Sequence, residues 1–428
     1  MLLKVPWGGL MAILRSLFGI ACLILFCFLL SSHRKKIAWK EIFYALSLQI
    51  IFAFFVLKVP GVVNIFDFLS SFFVKVLDYT KEGSTFLFGN LVDIKSMGFI
   101  FAFQVLPTIV FFSALTTLLY YLGVLQKVVY GCAWVMSKGI KLSGAESLST
   151  AGNIFLGQTE APLLIKPYLP GMSRSELLCI MIGGMANIAG GVLAAYVGFL
   201  GGDDPVQRQM FATHLLCASI MSAPATILVS KLLEPELNRD KIDTKLTMID
   251  VNSGYNAIDA ICSGTTEGVS LALNVGAMLL VFTAVMAMAN SLIQGVGHLL
   301  IGPETLWSLQ GALSYIFSPL AWIIGVNGED IGKVGQLLGE KTILNEFYAY
   351  GTLAKFKAAQ VFENPRSLII ATYALCGFAN FASIGIQVGG ISQMAPNQRE
   401  NLSKLGIKAL IGGTICTLMT ATIVGAFY

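Results

Sequence analysis

The sequence has few charged residues. Asp, Glu, Lys and Arg make up 12% of its 428 residues, whereas soluble domains carry about a quarter. Hydrophobic residues make up 56%. A chain with so little polar surface cannot keep its helices in water, so we interpret it as an all-α integral membrane protein.

Motifs of enzymes and metal centres are also lacking. The sequence contains no GxSxG, HExxH or HxxxxD motif, and its three histidines are far apart. The eight cysteines form no CxxC pair and mostly lie in apolar stretches, as small buried hydrophobes do. The net charge of +4 is small. We therefore predict neither an enzyme, nor a cofactor, nor a nucleic-acid partner.

Apolar stretches dominate what is present. Eight are long enough to cross a hydrocarbon layer of about 30 Å, which requires about 20 residues. They are 10–32, 41–57, 98–123, 176–200, 209–231, 268–297, 366–392 and 406–427. Alternate threading places 16 of the 28 basic residues on one side and 11 on the other, with Arg15 inside a span. Because cytoplasmic connections collect basic residues, we predict both termini outside.

Three segments between the spans mix aromatic or apolar residues with charges. Residues 61–82 are predicted to form an amphipathic helix at the membrane interface, and residues 248–266 and 305–325 are weaker candidates. Helices that pack between the spans are the alternative interpretation of these patterns.

Two further regions enter the membrane by their composition but are interrupted halfway. Residues 144–171 are broken by Gly157 and Pro162, and residues 331–363 are broken at Leu344-Asn345-Glu346. Each half of the first region is about 14 residues, or about 21 Å of helix, which is too short to cross. We predict two re-entrant helical hairpins that enter from opposite faces.

The span after each hairpin carries the same pattern. Residues 184–190 read GMANIAG and residues 377–383 read GFANFAS. This pattern predicts inverted repeats with broken helices, which place a substrate site near the membrane midplane. The predicted parts are residues 1–123 as a mainly scaffold part, 124–247 as the first repeat and 248–428 as the second. Chance similarity of Gly- and Ala-rich spans is the alternative.

A carboxylate lies at each predicted hairpin tip. Glu160 follows Thr159 and Glu346 follows Asn345. Thr and Asn are good N-caps, and the first helical turn favours an anion, so both carboxylates are stabilised while they stay free to bind. Capping alone, without binding, is the alternative role of these residues.

Broken helices also leave backbone carbonyls free to bind hard cations such as sodium. The break of the first hairpin and the Asn187 stretch together offer amide and carbonyl oxygens. The candidate ligands are Asn153, Leu156, Asn187 and Ile188. Spacing alone does not establish this site.

Five ordered motifs carry a family resemblance. They are GNIFLGQTEAPLLIKPYL, GGMANIAGGVLAAYVG, EGVSLALNVGAMLLVFTAVMAMAN, LNEFYAY and GFANFASIGIQVGG. From about residue 98 to the C-terminus the chain resembles the concentrative nucleoside transporter family, and its short N-terminus is similar to the bacterial branch. The resemblance implies a homotrimer in the bacterial inner membrane that imports nucleosides with sodium, by alternating access of a transport part within a scaffold.

The resemblance also implies roles for individual residues. Nucleobase contacts fall on Gln158, Thr159 and Glu160, with Val192 near the base. Ribose contacts fall on Glu346, Asn380 and Ser383, with Phe378 beside the sugar. Sodium ligands fall on Asn153, Leu156, Asn187 and Ile188.

One position departs from the family pattern, because Asn187 stands where sodium-coupled members commonly have Ser or Thr. Proton coupling is therefore the alternative for the ion. A transporter of another small polar solute, a passive channel and an intramembrane enzyme are the alternatives for the function.

Overall fold

A computed structural model describes residues 9–98, 100–137, 142–237, 242–246, 255–300, 302 and 307–428. In these ranges every regular element is a helix, which confirms the predicted fold class. The N-terminal helices are α1 (Leu10–Leu30), α2 (Trp39–Lys58), α3 (Pro60–Phe88), α4 (Ile94–Met97), α5 (Phe101–Gln104), α6 (Leu106–Tyr121) and α7 (Val124–Ser137).

The remaining helices form two series with similar order. The first series is α8 (Gly144–Gly152), α9 (Arg174–Ala186), α10 (Gly190–Gly201) and α11 (Pro205–Leu233). After it come α12 (Ala257–Leu300) and α13 (Leu309–Ile323). The second series is α14 (Ile331–Ile343), α15 (Glu346–Ala358), α16 (Pro365–Leu375), α17 (Phe381–Met394) and α18 (Arg399–Gly425).

Eight helical segments of the described chain are long and apolar enough to cross a membrane, and seven of them correspond to predicted spans. The remaining segment is Pro60–Val92, within which we predicted an amphipathic helix at the membrane interface. Its length and composition permit a span, and its position at the interface remains a prediction. The predicted span 366–392 does not qualify, because five residues separate α16 from α17, whereas only three separate α9 from α10 within Arg174–Gly201.

The predictions for the two weaker amphipathic segments fare differently. The prediction of a separate helix over 248–266 is wrong for the part that the structure describes. From Ala257 the chain is already in α12, which continues without a break through the predicted span 268–297. Residues 248–254, like 305–306, lie outside the described residues. Helix α13 lies within 305–325 and packs along α14, as the packing alternative requires.

The two hairpins differ in their second arms. In the hairpin over 331–363, α14 ends at Ile343 and α15 begins at Glu346, so the break lies where it was predicted. In the hairpin over 144–171, α8 is followed by 3₁₀ turns at Ala161–Ile165 and Leu169–Gly171. The predicted second helical half is therefore wrong there, because Pro167 and Pro170 remove N–H groups that a continuous helix from Ala161 would need.

Both predicted broken spans are broken, and they cross at their breaks. Helices α9 and α10 are separated by residues 187–189, and α16 and α17 by residues 376–380. The Phe378 N–H donates to the Asn187 carbonyl at 3.3 Å. A Cβ on Gly377 would lie 2.8 Å from the Met185 carbonyl oxygen, so only glycine permits this close approach.

Burial separates an inner body from an outer layer. In the most apolar parts of Arg174–Gly201 and Pro205–Leu233, 89% of residues are buried inside the protein, against 17% in Ala257–Leu300. The inner body is thus formed by the two series of hairpins and broken spans. Helix α12 lies outside it and packs along α6, where Gly264 and Gly268 meet the α6 backbone.

Candidate functional site

The tip of the second hairpin and the break of the span that follows it form one hydrogen-bonded unit. Asn345 caps α15, because its Oδ1 accepts from the Tyr348 N–H at 2.8 Å, as predicted. Glu346, 3% exposed, therefore stands in the first turn and accepts from Asn380 Nδ2 at 2.8 Å. Asn380 in turn caps α17 by accepting from the Ser383 N–H at 2.9 Å. The bond between Asn380 and Glu346 thereby links the second hairpin to the start of α17.

The tip of the first hairpin reaches the same unit. Gln158 Nε2 donates to Ser383 Oγ at 3.3 Å, across 225 residues of sequence. The structure therefore brings together four predicted site residues, which are Gln158, Glu346, Asn380 and Ser383. We refer to these four residues as the polar cluster. It joins both hairpins at the N-terminal end of α17, where the helix dipole and amide groups can meet a polar solute.

Gln387 belongs beside the polar cluster and was missed by the sequence analysis. Its side chain is 1% exposed, and Nε2 donates to Met181 O at 3.0 Å and to Gln158 Oε1 at 3.3 Å. A signal for it exists in the sequence. Asn380, Ser383 and Gln387 are spaced i, i+3 and i+7, which places them on one face of α17.

The loop at the first hairpin tip departs from the prediction. Thr159 does not cap a helix: its side chain is exposed and lies against Gly390 of α17. The Glu160 carboxylate instead accepts from the Gly157 N–H, which closes the turn by itself. The predicted symmetry of the two caps is therefore wrong, although both carboxylates stand at a tip.

Glu160, two residues after Gln158 of the polar cluster, lines a cavity of about 400 Å³. The walls come from the first hairpin, α6, the start of α10 and α12, and they include Ser113, Thr116, Gly190, Ser263 and Glu267. The volume lies in the usual range for small-molecule sites, about 300–1,000 Å³. Hydroxyl and carboxylate groups on these walls can accept and donate hydrogen bonds.

The candidate cation ligands lie where α8 ends and α9 breaks. Asn153 is the C-cap of α8 and is 2% exposed, yet neither its Oδ1 nor its Nδ2 has a hydrogen-bond partner among the described residues. Asn187 Nδ2 donates to Ser219 O at 3.2 Å, and Asn187 Oδ1 accepts from the Ile188 N–H. An unpaired buried amide oxygen is costly unless a ligand satisfies it. The Asn153 side-chain oxygen, together with the oxygens of the first break, therefore fits a hard cation.

The four other predicted residues named for the site occupy separate positions. Leu156 and Ile188 are buried, at the first tip and in the first break. Val192 is 1% exposed and packed within α10, so it does not line the cavity. Phe378 is partly exposed in the second break.

Sequence models of a transporter family match nearly the whole chain. One described as "Na+ dependent nucleoside transporter C-terminus" matches residues 214–425, and its N-terminal counterpart matches residues 18–91. A third, described as "Nucleoside recognition", matches residues 102–203. This last range contains the first hairpin and the first broken span.

Curated relatives agree. The chain is 42% identical over 424 residues to an uncharacterized transporter from Haemophilus influenzae, covering 97% of this chain and 98% of that one. It is 39% identical to solute carrier family 28 member 3 of Rattus norvegicus and to sodium/nucleoside cotransporter 1 of Mus musculus. The chain spans 58% and 64% of the length of these two longer proteins.

Solved structures of the transporter CNTnw share the fold. The inward-facing, substrate-bound structure matches with a TM-score of 0.87 at 40% identity, covering 97% of this chain and 98% of the other. An outward-facing structure of a CNTnw variant matches with a TM-score of 0.91 at 41% identity, with 97% and 99% covered. The chain therefore belongs to the concentrative, Na⁺-dependent nucleoside transporter family, and is a multi-pass membrane protein rather than an enzyme.

Proposed function

We propose that the protein imports nucleosides by symport with sodium, with the nucleoside held between the two hairpin tips and the two broken spans. The observation that carries this proposal is the polar cluster, in which side chains from both hairpins and from α17 meet in the interior of the protein. Polar groups between the helices of a membrane protein are costly and mark a substrate path. The family membership supplies the class of substrate.

The ribose end of the site is assigned to the second hairpin. Glu346 accepts one hydrogen bond from Asn380, and a carboxylate has further acceptor positions for the hydroxyl groups of a sugar. Asn380 and Ser383 present an amide and a hydroxyl from the same helix end. A site that pairs ribose hydroxyls in this way rejects analogues without them, because its own groups would stay unpaired.

The base end is assigned to the first hairpin. Gln158, Thr159 and Glu160 offer an amide, a hydroxyl and a carboxylate, which suit the mixed donors and acceptors on the edge of a nucleobase. Glu160 and its cavity lie between the first hairpin and α6 and α12. Phe378 is proposed as an apolar neighbour of the sugar. Val192 does not line the cavity in this structure, and its place near the base stays a prediction.

Sodium coupling is assigned to Asn153, Leu156, Asn187 and Ile188. A bound cation would supply charge to the unpaired Asn153 oxygen at the end of α8 and to oxygens of the first break, which accept one hydrogen bond and have a second acceptor position. The unpaired Asn153 amide supports this assignment. Binding there would draw the first tip and the first break together, and Gly190 N–H already donates to the Phe155 carbonyl between them. Proton coupling is the alternative, to be decided by experiment.

We further propose alternating access, in which the inner body of hairpins and broken spans moves against the outer layer. The contrast in burial between these two parts supports a division into a mobile and a static part. Three protomers in the bacterial inner membrane, with both termini outside, complete the proposal.

Substrate choice is tested by counterflow of labelled uridine and labelled amino acids in proteoliposomes. We expect uridine alone to exchange. Two variants, Glu160→Gln and Glu346→Gln, remove a negative acceptor from each tip at constant size and should lose most uptake. The matched control is Glu400→Gln, an exposed carboxylate at the start of α18. Exchange of amino acids, or uptake by either tip variant equal to that of the control, would contradict the proposal.

A further inference from the structure

Lys341 is a buried lysine that the mechanism above does not use. It lies in α14, the first arm of the second hairpin, and is 1% exposed. Its Nζ donates to the Ala374 carbonyl at 2.8 Å and to Thr417 Oγ1 at 3.0 Å. Ala374 is in the last turn of α16, immediately before the second break.

The partners of this ammonium group are neutral oxygens. Among the described residues, no carboxylate oxygen lies within 4.0 Å of the Lys341 Nζ, so Lys341 forms no ion pair there. Burial of a charge without such a partner is costly. What faces Lys341 instead is the C-terminal end of a half-helix, where free carbonyls and the negative end of the dipole favour a cation.

The first repeat has a matching corner. There Asn153, at the end of the first hairpin arm, places Nδ2 2.8 Å from the position of a Cβ on Gly183 in α9. The side chain of Thr226 in α11 lies 3.4 Å from that same position. First arm, broken span and following span thus meet in one place.

In the second repeat the same three kinds of element meet. Lys341 comes from the first arm, Ala374 from the broken span and Thr417 from the following span, α18. The two corners differ in one respect. The first ends in an amide without a hydrogen-bond partner among the described residues, and the second ends in an ammonium group with two acceptors.

We propose that Lys341 is a built-in cation, which occupies in the second repeat the place that a free cation takes in the first. It satisfies the oxygens before the second break and supplies positive charge five residues before Glu346. Each transport cycle then requires one sodium ion, because the second corner is already filled. This inference rests on the proposed sodium site of the first repeat.

The test uses three substitutions of Lys341 and a matched control. Lys341→Met removes the charge, Lys341→Arg keeps it, and Lys341→Asn installs the residue of the first corner. The control is Lys357→Met, which also removes a lysine that donates to a helix carbonyl, Leu200 O at 2.7 Å, from the other arm of the same hairpin.

Thermal stability without nucleoside is measured in sodium chloride and in choline chloride. We expect Lys341→Met to be less stable than the control in both salts, and Lys341→Arg to behave as the parent protein. Lys341→Asn should be unstable in choline and regain stability in sodium. The proposal would be overturned if Lys341→Met and Lys341→Asn were both as stable as the control. It would also be overturned if sodium did not raise the stability of Lys341→Asn.

Uridine binding against sodium concentration gives a second measurement. The parent protein should show a Hill coefficient for sodium of about 1, and Lys341→Asn one that rises toward 2, because two linked sites must then fill. Lys341→Met should bind uridine at least about tenfold more weakly. A parent protein that binds no uridine would refute the proposed function, while the stability measurement would still decide the role of Lys341.

Discussion

At the residue scale, the polar cluster explains why Ser383 matters although it is a common residue. Its Oγ accepts from Gln158, which belongs to the other hairpin, and its N–H is fixed by Asn380. The hydroxyl therefore lies where both repeats meet. A small change at this position should alter selectivity for sugar hydroxyls more than it alters the fold.

We predict that Ser383→Ala weakens uridine binding about tenfold, or about 1.4 kcal/mol, because one hydrogen bond to the sugar or to Gln158 is lost. Binding of 3′-deoxyuridine should change less, so the ratio of the two affinities should fall. Isothermal titration of both ligands measures it. The control is Ser392→Ala on the same helix. The Ser392 hydroxyl donates to the Val388 carbonyl of that helix and, among the described residues, forms no hydrogen bond with the polar cluster. An unchanged ratio would remove Ser383 from the ribose site.

At the element scale, a buried ion pair anchors the first hairpin. Lys231 of α11 donates to Glu146 of α8 and to Ser175 at 3.0 Å. The lysine and glutamate side chains are 4% and 0% exposed. Glu146 also completes the capping box that starts α8 at Ser143. The arm that carries Asn153 is thereby fixed to the inner body.

We predict that Lys231→Met lowers the free energy of unfolding by about 3–5 kcal/mol, because the Glu146 charge would remain buried without a partner. Adding Glu146→Gln should restore part of that loss, since Gln keeps the cap and removes the charge. Denaturant unfolding in detergent measures both. Lys404→Met, which breaks an exposed pair with Glu400, should change little. A double variant less stable than Lys231→Met would contradict this account.

The sequence predicted elements best where periodicity and caps act locally. The break at Asn345 was found because Asn is a strong N-cap before an acidic first turn, and the breaks at Asn187 and Asn380 were found from a repeated motif. The missing helix after Pro162 shows the limit, because Pro167 and Pro170 interrupt a segment whose apolar composition suggested a helix. Lys341 and Gln387 were missed because their partners, Ala374 and Met181, are distant in sequence.

At the scale of the whole molecule, the inner body holds both hairpins, both breaks and every residue of the polar cluster. The outer layer of α6 and α12 contributes the far wall of the cavity beside Glu160. A solute bound between these parts would contact both, which is the arrangement that movement of one part against the other requires. The composition predicted an integral membrane protein, and the interrupted apolar regions predicted the two hairpins. The crossing of the two breaks depends on packing between helices, which only the structure shows.

The most direct test of the account is uptake of labelled uridine into proteoliposomes with sodium and proton gradients imposed separately. An inward sodium gradient without a pH difference should drive accumulation above the outside concentration, and collapse of that gradient should abolish it. An inward proton gradient alone should not drive accumulation. Accumulation that follows the proton gradient and ignores sodium, or equilibration without accumulation in either case, would contradict sodium-coupled nucleoside import.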